Sequence, residues 1–400
     1  MALTIRRYRP ETVAAGPSNG WRGSQLVIDL TQLKAHLEAR MHIRVHVELV
    51  PPESGRVVRD IRDLWQVRAK LAPAALLPYA LPGQPQDGRG SGVTIVVERL
   101  ALCISGEGAG NVTPCMLPMG DPSLPLSDHW LLEVAPAIGP AWDESDEVRM
   151  KTALAEWMQA AIPGLQPPPG CVQEETWQEP APTASRHPER PAIGHCYLVQ
   201  SQGSFRRTFF QGSPCDTLRP TVVSPLVIMD GALVSNNYVV CANRNPTYFH
   251  AENPLLRGLL QRHGQDLQMA SVVLFTAPGD EAAKRATAAE VAQIARSQCW
   301  DAAVVTKEGG GNTTVDLMLL VGALEAEGIS AVGMVNESAG PQGDQPPLVV
   351  HHPAADALVS TGNVEAVWPG GTDASGGALT AWIAGATSLL GAGQWGCVED

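Results

Sequence analysis

The strongest constraint on the fold comes from residues 271–360, where short, almost continuously apolar segments alternate with helical ones. The predicted strands are 271–276, 302–306, 331–335 and 357–360, and the helices between them are 280–298 and 315–327. Strands that are apolar on both faces and separated by helices of this length are typical of parallel βαβ units. The sequence therefore predicts an α/β fold with a doubly wound, mainly parallel sheet in the C-terminal half, followed by a helix near 378–390.

The first 162 residues also alternate strand-like and helix-like segments, but less regularly. The predicted strands are 25–30, 43–50, 93–98 and 130–134, and the predicted helices are 31–40, capped by Thr31, and 143–162. This pattern predicts a mixed α/β lobe.

Residues 163–191 separate the two regions and contain eight prolines. Because proline removes a backbone donor and breaks a helix, we predict an exposed linker that neither pairs into a sheet nor continues a helix. The predicted domains are therefore 1–162 and 192–400, the second carrying the segments with candidate chemistry.

Charge and cysteine usage restrict the partners. The formal net charge is −13 and no basic run is present, which argues against nucleic acid or an anionic membrane as the main partner. No apolar stretch approaches the ~20 residues of a membrane span, and no apolar region follows the first residues as in a secretion signal. Eight cysteines form no Cys-x-x-Cys pair. We expect a cytoplasmic protein with free thiols, no metal site and no electron source of its own.

The loop 307–312 (Lys-Glu-Gly-Gly-Gly-Asn) follows a predicted strand and precedes a predicted helix. Its glycines allow a ligand to approach the backbone, and the carboxyl ends of parallel strands are where ligands gather. The spacing fits neither the phosphate-binding loop nor the dinucleotide fingerprint, so a flexible connection is the alternative. The candidate substrate-binding residues are Glu308, Gly310, Gly311 and Asn312, together with Asn363 in another loop of the same edge.

The segment 229–250 concentrates polar residues around a single thiol, Cys241. A thiolate is favoured by a nearby base or cation, and His250 and Arg244 are candidates by proximity in sequence. The alternative is that Cys241 ends a buried strand as an inert apolar residue. A metal site formed by Cys241, His250 and His263 matches no zinc spacing.

Several stretches occur together in an order that resembles a known family. They are Ser-Pro-Leu-Val-Ile-Met-Asp-Gly-Ala-Leu-Val-Ser-Asn-Asn (224–237), Asn-Pro-Thr-Tyr-Phe-His-Ala-Glu-Asn-Pro (245–254), the glycine loop with the Val-Asp-Leu-Met that follows it (307–318), and Asp-Ala-Leu-Val-Ser-Thr-Gly-Asn (356–363). The chain resembles the proprotein subunit of component B of glycine, sarcosine and betaine reductases, and the related D-proline reductase proprotein.

The resemblance implies a mechanism. Such proproteins are cut just before a cysteine, which becomes a pyruvoyl group that forms a Schiff base with a small amine substrate. A partner subunit with selenocysteine or cysteine then reductively breaks the C–N bond. On this basis Cys241 is the processed residue, and Asp230, Tyr248 and His250 are catalytic candidates. We expect Cys241 to share one pocket with the loop 308–312, lined by one or more of the other three.

One departure from the family pattern leaves alternatives open. Family members carry a cysteine directly after the Ser-x-Asn run, where this chain has Tyr238, and Val240 precedes Cys241. The chain is then either a cleaved pyruvoyl-type reductase subunit or an uncleaved homologue that uses the Cys241 thiol for a different C–N or C–S cleavage. A non-catalytic scaffold for a thiol or selenol partner and an independent Cys–His hydrolase are the remaining readings.

Overall fold

The computed structural model describes residues 1–106, 117–122, 126–139, 142–180, 189–201, 207–236, 244–335 and 348–360, together with the strand 396–398. The predicted helix at 378–390, the loop residue Asn363 and Cys241 lie outside the described residues.

The described residues of the first half of the chain form eleven strands and two long helices, and six of these strands make up the main sheet. The strands are β1 (Ala2–Tyr8), β2 (Thr12–Ala15), β3 (Gly20–Arg22), β4 (Gln25–Ile28), β5 (Val45–Val50), β6 (Val57–Val58), β7 (Ile61–Ala72), β8 (Gly92–Ser105), β9 (Leu117–Pro118), β10 (Trp130–Pro136) and β11 (Val172–Gln178), and the helices are α1 (Leu30–Met41) and α2 (Glu144–Ala161). The sheet order is β11-β1-β8-β10-β5, with β7 paired to β8.

Strand β8 organises this sheet because it pairs along both edges. One edge pairs antiparallel with β7, and the other pairs in parallel with β1 as far as Val97 and with β10 from Leu100 onward. Glu98 and Arg99 lie in the gap between the two parallel ladders. Arg99 has φ 57°, which is left-handed backbone that a non-glycine residue rarely adopts. The interruption is a bulge, a feature that re-aims side chains.

The prediction that residues 163–191 cannot join a sheet is wrong for part of that stretch. β11 pairs antiparallel with β1 over its whole length, from Ala2 opposite Gln178 to Tyr8 opposite Val172. The segment between Pro169 and Pro180 contains no proline, so every residue retains its backbone donor and the strand fits an edge position. The division into domains 1–162 and 192–400 stays a prediction.

Helix α1 begins at Leu30, one residue before the predicted cap Thr31. Asp29 is the N-cap, and its carboxylate accepts a hydrogen bond at 2.9 Å from the backbone N–H of Gln32. A carboxylate also complements the positive end of the helix dipole, which explains why Asp29 caps in preference to the threonine. α2 begins where predicted, with Asp143 and Asp146 forming a reciprocal capping box.

The described residues of the second half form ten strands and five helices, and seven of these strands make up its main sheet. The strands are β12 (Ala192–Val199), β13 (Thr208–Phe210), β14 (Ser213–Pro214), β15 (Thr221–Val223), β16 (Leu233–Ser235), β17 (Gln268–Thr276), β18 (Ala302–Lys307), β19 (Ser330–Val335), β20 (Leu358–Ser360) and β21 (Gly396–Val398), and the helices are α3 (Pro225–Met229), α4 (Thr247–Ala251), α5 (Pro254–Arg262), α6 (Glu281–Ser297) and α7 (Asn312–Ala326). The order is β15-β17-β12-β18-β19-β20-β21. The five inner strands are parallel and both edge strands are antiparallel.

Both faces of this sheet are covered, which confirms the predicted doubly wound α/β arrangement. On one face, α6 and α7 bury Val291 and Leu317 against Val305 of β18. On the other face, Tyr197 of β12 packs in a cluster that includes Leu256 of α5 and also residues of β1 and β8. The two halves of the chain therefore share a core, which places the C-terminal sheet beside the N-terminal one.

Candidate functional site

A buried carboxyl group lies at the carboxyl end of β18. Glu308 directly follows the strand, is fully buried, and accepts hydrogen bonds from two backbone N–H groups. Gln200 N–H lies 2.7 Å from Oε2, and Asn245 N–H lies 2.8 Å from Oε1. Burial raises the pKa of Glu308 to about 7, although the Arg244 guanidinium and these two donors act in the opposite direction. Such a carboxyl group can either donate or accept a proton near neutral pH.

The glycine loop gives Glu308 this position. Gly309 has φ 81°, and a Cβ there would lie 2.7 Å from Gln200 Oε1, so only glycine fits without moving that neighbour. Lys307 Nζ donates to the Gly309 carbonyl at 2.6 Å and braces the turn. Gly311 then caps α7, which begins at Asn312, three residues earlier than predicted.

His250 of α4 faces Glu308 across the site. Its Nδ1 lies 2.6 Å from the Tyr197 hydroxyl, its Nε2 lies 3.2 Å from Ser235 Oγ, and Nε2 lies 3.6 Å from Glu308 Oε1. Burial, with a further effect of Arg244, lowers the pKa of His250 to about 3. The imidazole is therefore neutral at physiological pH, so its contact with Glu308 is a polar contact and not an ion pair.

Residues on both sides of the cysteine segment join this network. Ser235 Oγ donates to the Asn245 carbonyl at 2.5 Å, and Asn245 Nδ2 donates to the Tyr197 hydroxyl at 3.1 Å. Asn236 is fully buried, and neither its side-chain nitrogen nor its oxygen has a hydrogen-bond partner in the described part of the chain. Arg244 is fully buried as well. The stretch that contains Cys241 is thus attached at both ends to the Glu308–His250 network.

Asp230 makes its contacts elsewhere. Its Oδ2 accepts from Lys70 Nζ at 2.5 Å and from Gly90 N–H at 2.8 Å, and its Oδ1 accepts from the Thr94 hydroxyl at 2.6 Å. All three partners belong to the first half of the chain. Asp230 therefore joins the two halves through a buried ion pair, and no hydrogen bond links it to Glu308 or His250 among the described residues.

Tyr248 also points away from the Glu308–His250 network. Its hydroxyl lies 3.5 Å from His129 Nε2, and its ring packs edge-on against that imidazole. Burial raises the pKa of this phenol well above its ordinary value. Of the four catalytic candidates, the structure brings His250 to the glycine loop and directs Asp230 and Tyr248 to other surroundings.

Comparison with known proteins identifies the family of this chain. The family model for glycine/sarcosine/betaine reductase component B subunits matches residues 1–369. The chain belongs to this family. The "Glycine reductase complex component B subunits alpha and beta" of Peptoclostridium acidaminophilum is 27% identical over 373 residues, covering 92% of this chain and 87% of that protein.

Two further relatives of this component B family member cover similar lengths. The glycine reductase protein of Acetoanaerobium sticklandii is 24% identical over 370 residues, covering 91% of this chain and 85% of that protein. The "Betaine reductase complex component B subunit alpha" of Peptoclostridium acidaminophilum is 24% identical over 381 residues, with the same coverage. No solved structure matches the chain. The family resemblance found in the sequence is confirmed.

The Glu308–His250 network contains residues that the sequence did not single out. Tyr197, the hydrogen-bond partner of His250, lies in the buried strand β12, where an aromatic residue looks like an ordinary core residue. Ser235 and Asn245 lie in the stretches that carry the family resemblance. Nothing in the local sequence, however, distinguished them from the neighbouring residues as site candidates. His263, considered as a metal ligand, accepts a hydrogen bond from the backbone N–H of Met269 at 3.1 Å.

The described residues of this component B family member contain neither a metal-ligand cluster nor a helix that could cross a membrane. Within the ranges that the structure describes, no group of three or more His, Cys, Asp and Glu residues is arranged to hold a metal ion. Within the same ranges, no helix combines the length and the apolar character needed to cross a membrane.

Proposed function

We propose that this chain is a subunit of a reductase complex that breaks a C–N bond of a small amine or amino acid. Family membership supports a reductase-type role within a complex, because the relatives are named as component B subunits of glycine and betaine reductase complexes. Those two compounds share a nitrogen atom bonded to a carbon that carries a carboxylate. The reaction breaks the C–N bond and forms a C–H bond at the same carbon, which takes two electrons and one proton, and the nitrogen leaves as the amine. A nitrogen that carries no positive charge takes up a second proton as it departs.

The observation that carries the proposal is the attachment of the Cys241 stretch to a titratable network. Asn236 and Arg244 border this stretch, and the residue next to Arg244, Asn245, donates its backbone N–H to Glu308. A carboxyl group with a pKa of about 7 can protonate a departing nitrogen. Neutral His250, held by Tyr197 and Ser235, keeps the Glu308 carboxyl in place and offers a second route for the proton.

A pyruvoyl group derived from Cys241 fits these surroundings. Asn236 provides a buried amide whose oxygen and nitrogen are both unbonded to any described residue, so it has capacity to bind a carbonyl-containing group. Asn236 and Arg244 would hold the group, which supplies an electron sink for the substrate amine. Two relatives each carry the names of two subunits, alpha and beta, which is what a chain that is cut in two would give.

Intact mass tests whether the chain is processed. We expect two fragments that meet between Val240 and Cys241, and a single chain of 42.4 kDa in the Cys241→Ala variant. Cys299→Ala, which removes an exposed thiol, is the matched control and should be cut like the wild type. A single uncut wild-type chain would reject the pyruvoyl route. The chain would then be an uncleaved homologue that uses the Cys241 thiol, or a non-catalytic scaffold for a thiol or selenol partner.

Dependence on a partner is a separate expectation. The sequence offers no dinucleotide fingerprint and no Cys-x-x-Cys pair, so the two electrons have to come from a second subunit with a selenol or a thiol. We expect the purified chain to consume glycine, sarcosine or betaine only when its genomic neighbours and a dithiol are added. Full turnover by the isolated chain with dithiol alone would contradict this dependence.

A further inference from the structure

The carboxylate of Asp63 lies where the first half of the chain meets the candidate site. Asp63 belongs to β7, is fully buried, and accepts hydrogen bonds from three elements. The Trp65 indole N–H of the same strand lies 2.7 Å from Oδ2, and Lys151 Nζ of α2 lies 2.8 Å from the same oxygen. Thr247 of α4 donates twice, with its backbone N–H to Oδ1 at 2.9 Å and with its hydroxyl to Oδ2 at 2.7 Å.

This carboxylate and its lysine partner are attached to both sides of the Cys241 stretch. Ser235 precedes the stretch and Thr247 follows it. The Thr247 hydroxyl accepts a hydrogen bond at 2.9 Å from the backbone N–H of Ser235 while it donates to Asp63. Lys151 Nζ donates to the Ser235 carbonyl. One buried ion pair therefore joins the two flanks of the stretch.

These hydrogen bonds set the directions of two side chains in the Glu308–His250 network. Because the N–H and the carbonyl of Ser235 are both bonded, its backbone is fixed, and its hydroxyl lies 2.5 Å from the Asn245 carbonyl and 3.2 Å from His250 Nε2. His250 lies three residues after Thr247 in α4, so the start of this short helix is fixed by Asp63. A hydrogen bond constrains angle as well as distance, which an apolar contact does not.

The Asp63–Lys151 pair acts through these neighbours. In the described ranges, neither residue forms a hydrogen bond or an ion pair with Glu308 or His250. Stability alone does not explain such a pair, since well-packed apolar residues of similar volume often stabilise a core as well as a buried ion pair does. What apolar residues cannot supply is the set of directed bonds to Ser235 and Thr247.

We infer that Thr247, Asp63 and Lys151 are positioning residues that hold both flanks of the Cys241 stretch in the candidate site. After the proposed cut between residues 240 and 241, Ser235 and Thr247 belong to different fragments. The hydrogen bonds then connect the flanks in place of the peptide chain. The consequence for catalysis rests on the proposed function, whereas the attachment of the flanks does not.

Hydrogen exchange of the full chain, followed by mass spectrometry, tests the attachment without an activity assay. Thr247→Val removes the hydroxyl at nearly the same volume, and we expect peptides covering 233–236 and 247–251 to exchange about tenfold faster, as for one lost buried hydrogen bond. Thr247→Ser keeps the hydroxyl and should exchange like the wild type. Thr152→Val, whose hydroxyl bonds to a carbonyl of its own helix, is the matched control and should leave these peptides unchanged.

Turnover in the reconstituted complex tests the positioning role. Thr247→Val should lower kcat by about 10- to 100-fold, because a misplacement of about 1 Å can cost about 10²-fold in rate. The KM for the amine should stay within about twofold, since none of the three residues is proposed to contact the substrate. Thr247→Ser should restore most of the lost kcat. Loss of folded protein alone is separated from this effect by circular dichroism of the same samples.

Removing the ion pair tests whether the three residues act as one unit. The variant with both Asp63→Asn and Lys151→Met leaves no buried charge unpaired and should lower kcat to a similar extent. Adding Thr247→Val to it should lower kcat little further, because residues that act together are not additive. Fully additive losses would show that Thr247 acts independently of the pair and would overturn the inference.

Other outcomes also decide the question. Wild-type exchange at 233–236 and 247–251 in Thr247→Val would overturn the inference, and so would an equal increase in β12 and β18, which would indicate general destabilisation. Unchanged kcat in a Thr247→Val protein with faster exchange would reject the positioning role. If the wild type has no turnover but the exchange pattern is as expected, the proposed reaction is wrong and the attachment stands.

Discussion

Replacing Glu308 by Gln is expected to lower turnover of the reconstituted complex by about 10²- to 10⁴-fold, the range typical of a lost general acid–base group. Gln cannot give up a proton, yet it has nearly the shape of Glu and keeps an oxygen that can accept from Gln200 or Asn245. The wild-type rate should fall as the pH rises through about 7, where Glu308 loses its proton. The variant should have lost this limb of the pH profile. Steady-state assays across pH 5–9 provide the measurement.

The same substitution has a signature in stability. Because the pKa of Glu308 is about 7 in the folded chain and 4.5 for a free side chain, the folded state binds more protons between these two values. The stabilisation by the protonated form is complete below pH 4.5 and is lost as the pH rises through 7, by roughly 3 kcal/mol over that range. Glu308→Gln should flatten this part of the curve of unfolding free energy against pH.

The quantity to compare is the slope of unfolding free energy against pH. The absolute stability changes for another reason, because the Gln amide places an N–H group against one of the two backbone donors. Glu290→Gln, at an exposed position paired with Arg219, is the matched control and should leave both profiles unchanged. If the rate of the Glu308→Gln variant still falls as the pH rises through about 7, Glu308 does not take part in the proton transfer. If its unfolding free energy still changes with pH as in the wild type, the pKa of Glu308 is not raised.

Asp230→Asn is expected to destabilise the folded chain by about 3–5 kcal/mol, the range seen when one partner of a buried ion pair is removed. Lys70 and Asp230 are at most 1% exposed, so the ammonium group would keep its charge without a carboxylate to balance it. The variant side chain can still accept from Gly90 N–H or the Thr94 hydroxyl, which confines the change mainly to charge. Chemical denaturation monitored by circular dichroism measures the loss.

A double variant measures the interaction energy between Lys70 and Asp230. Lys70→Met combined with Asp230→Asn removes both charges and should be less destabilised than the sum of the single variants. Asp266→Asn breaks an exposed pair with Arg262 and should have no measurable effect.

The catalytic role predicted for Asp230 is tested by the same proteins. If folded Asp230→Asn loses turnover while its stability is unchanged, Asp230 acts in the reaction and not as a link between the halves.

The sequence by itself determined the parallel sheet, the glycine loop and the family. Each of these depends on local order along the chain. Apolar runs of strand length alternating with helices specify parallel βαβ units wherever they occur, and the 307–312 loop follows from a strand, three glycines and a helix in succession. Two predictions that depended on local order were wrong. The Asp29 carboxylate caps α1 in place of Thr31, and the proline-free interval between Pro169 and Pro180 allows β11 to form within the predicted linker.

Only the tertiary structure decided which polar side chains meet. His250 contacts Tyr197 and Glu308, which lie 53 and 58 positions away in sequence, and Asp230 contacts Lys70, which lies 160 positions away. Hydrophobic periodicity reports which face of an element is buried, but it contains no information on what that face packs against. The partners of a buried charge, and therefore its pKa and its role, are set by the packing of the two halves.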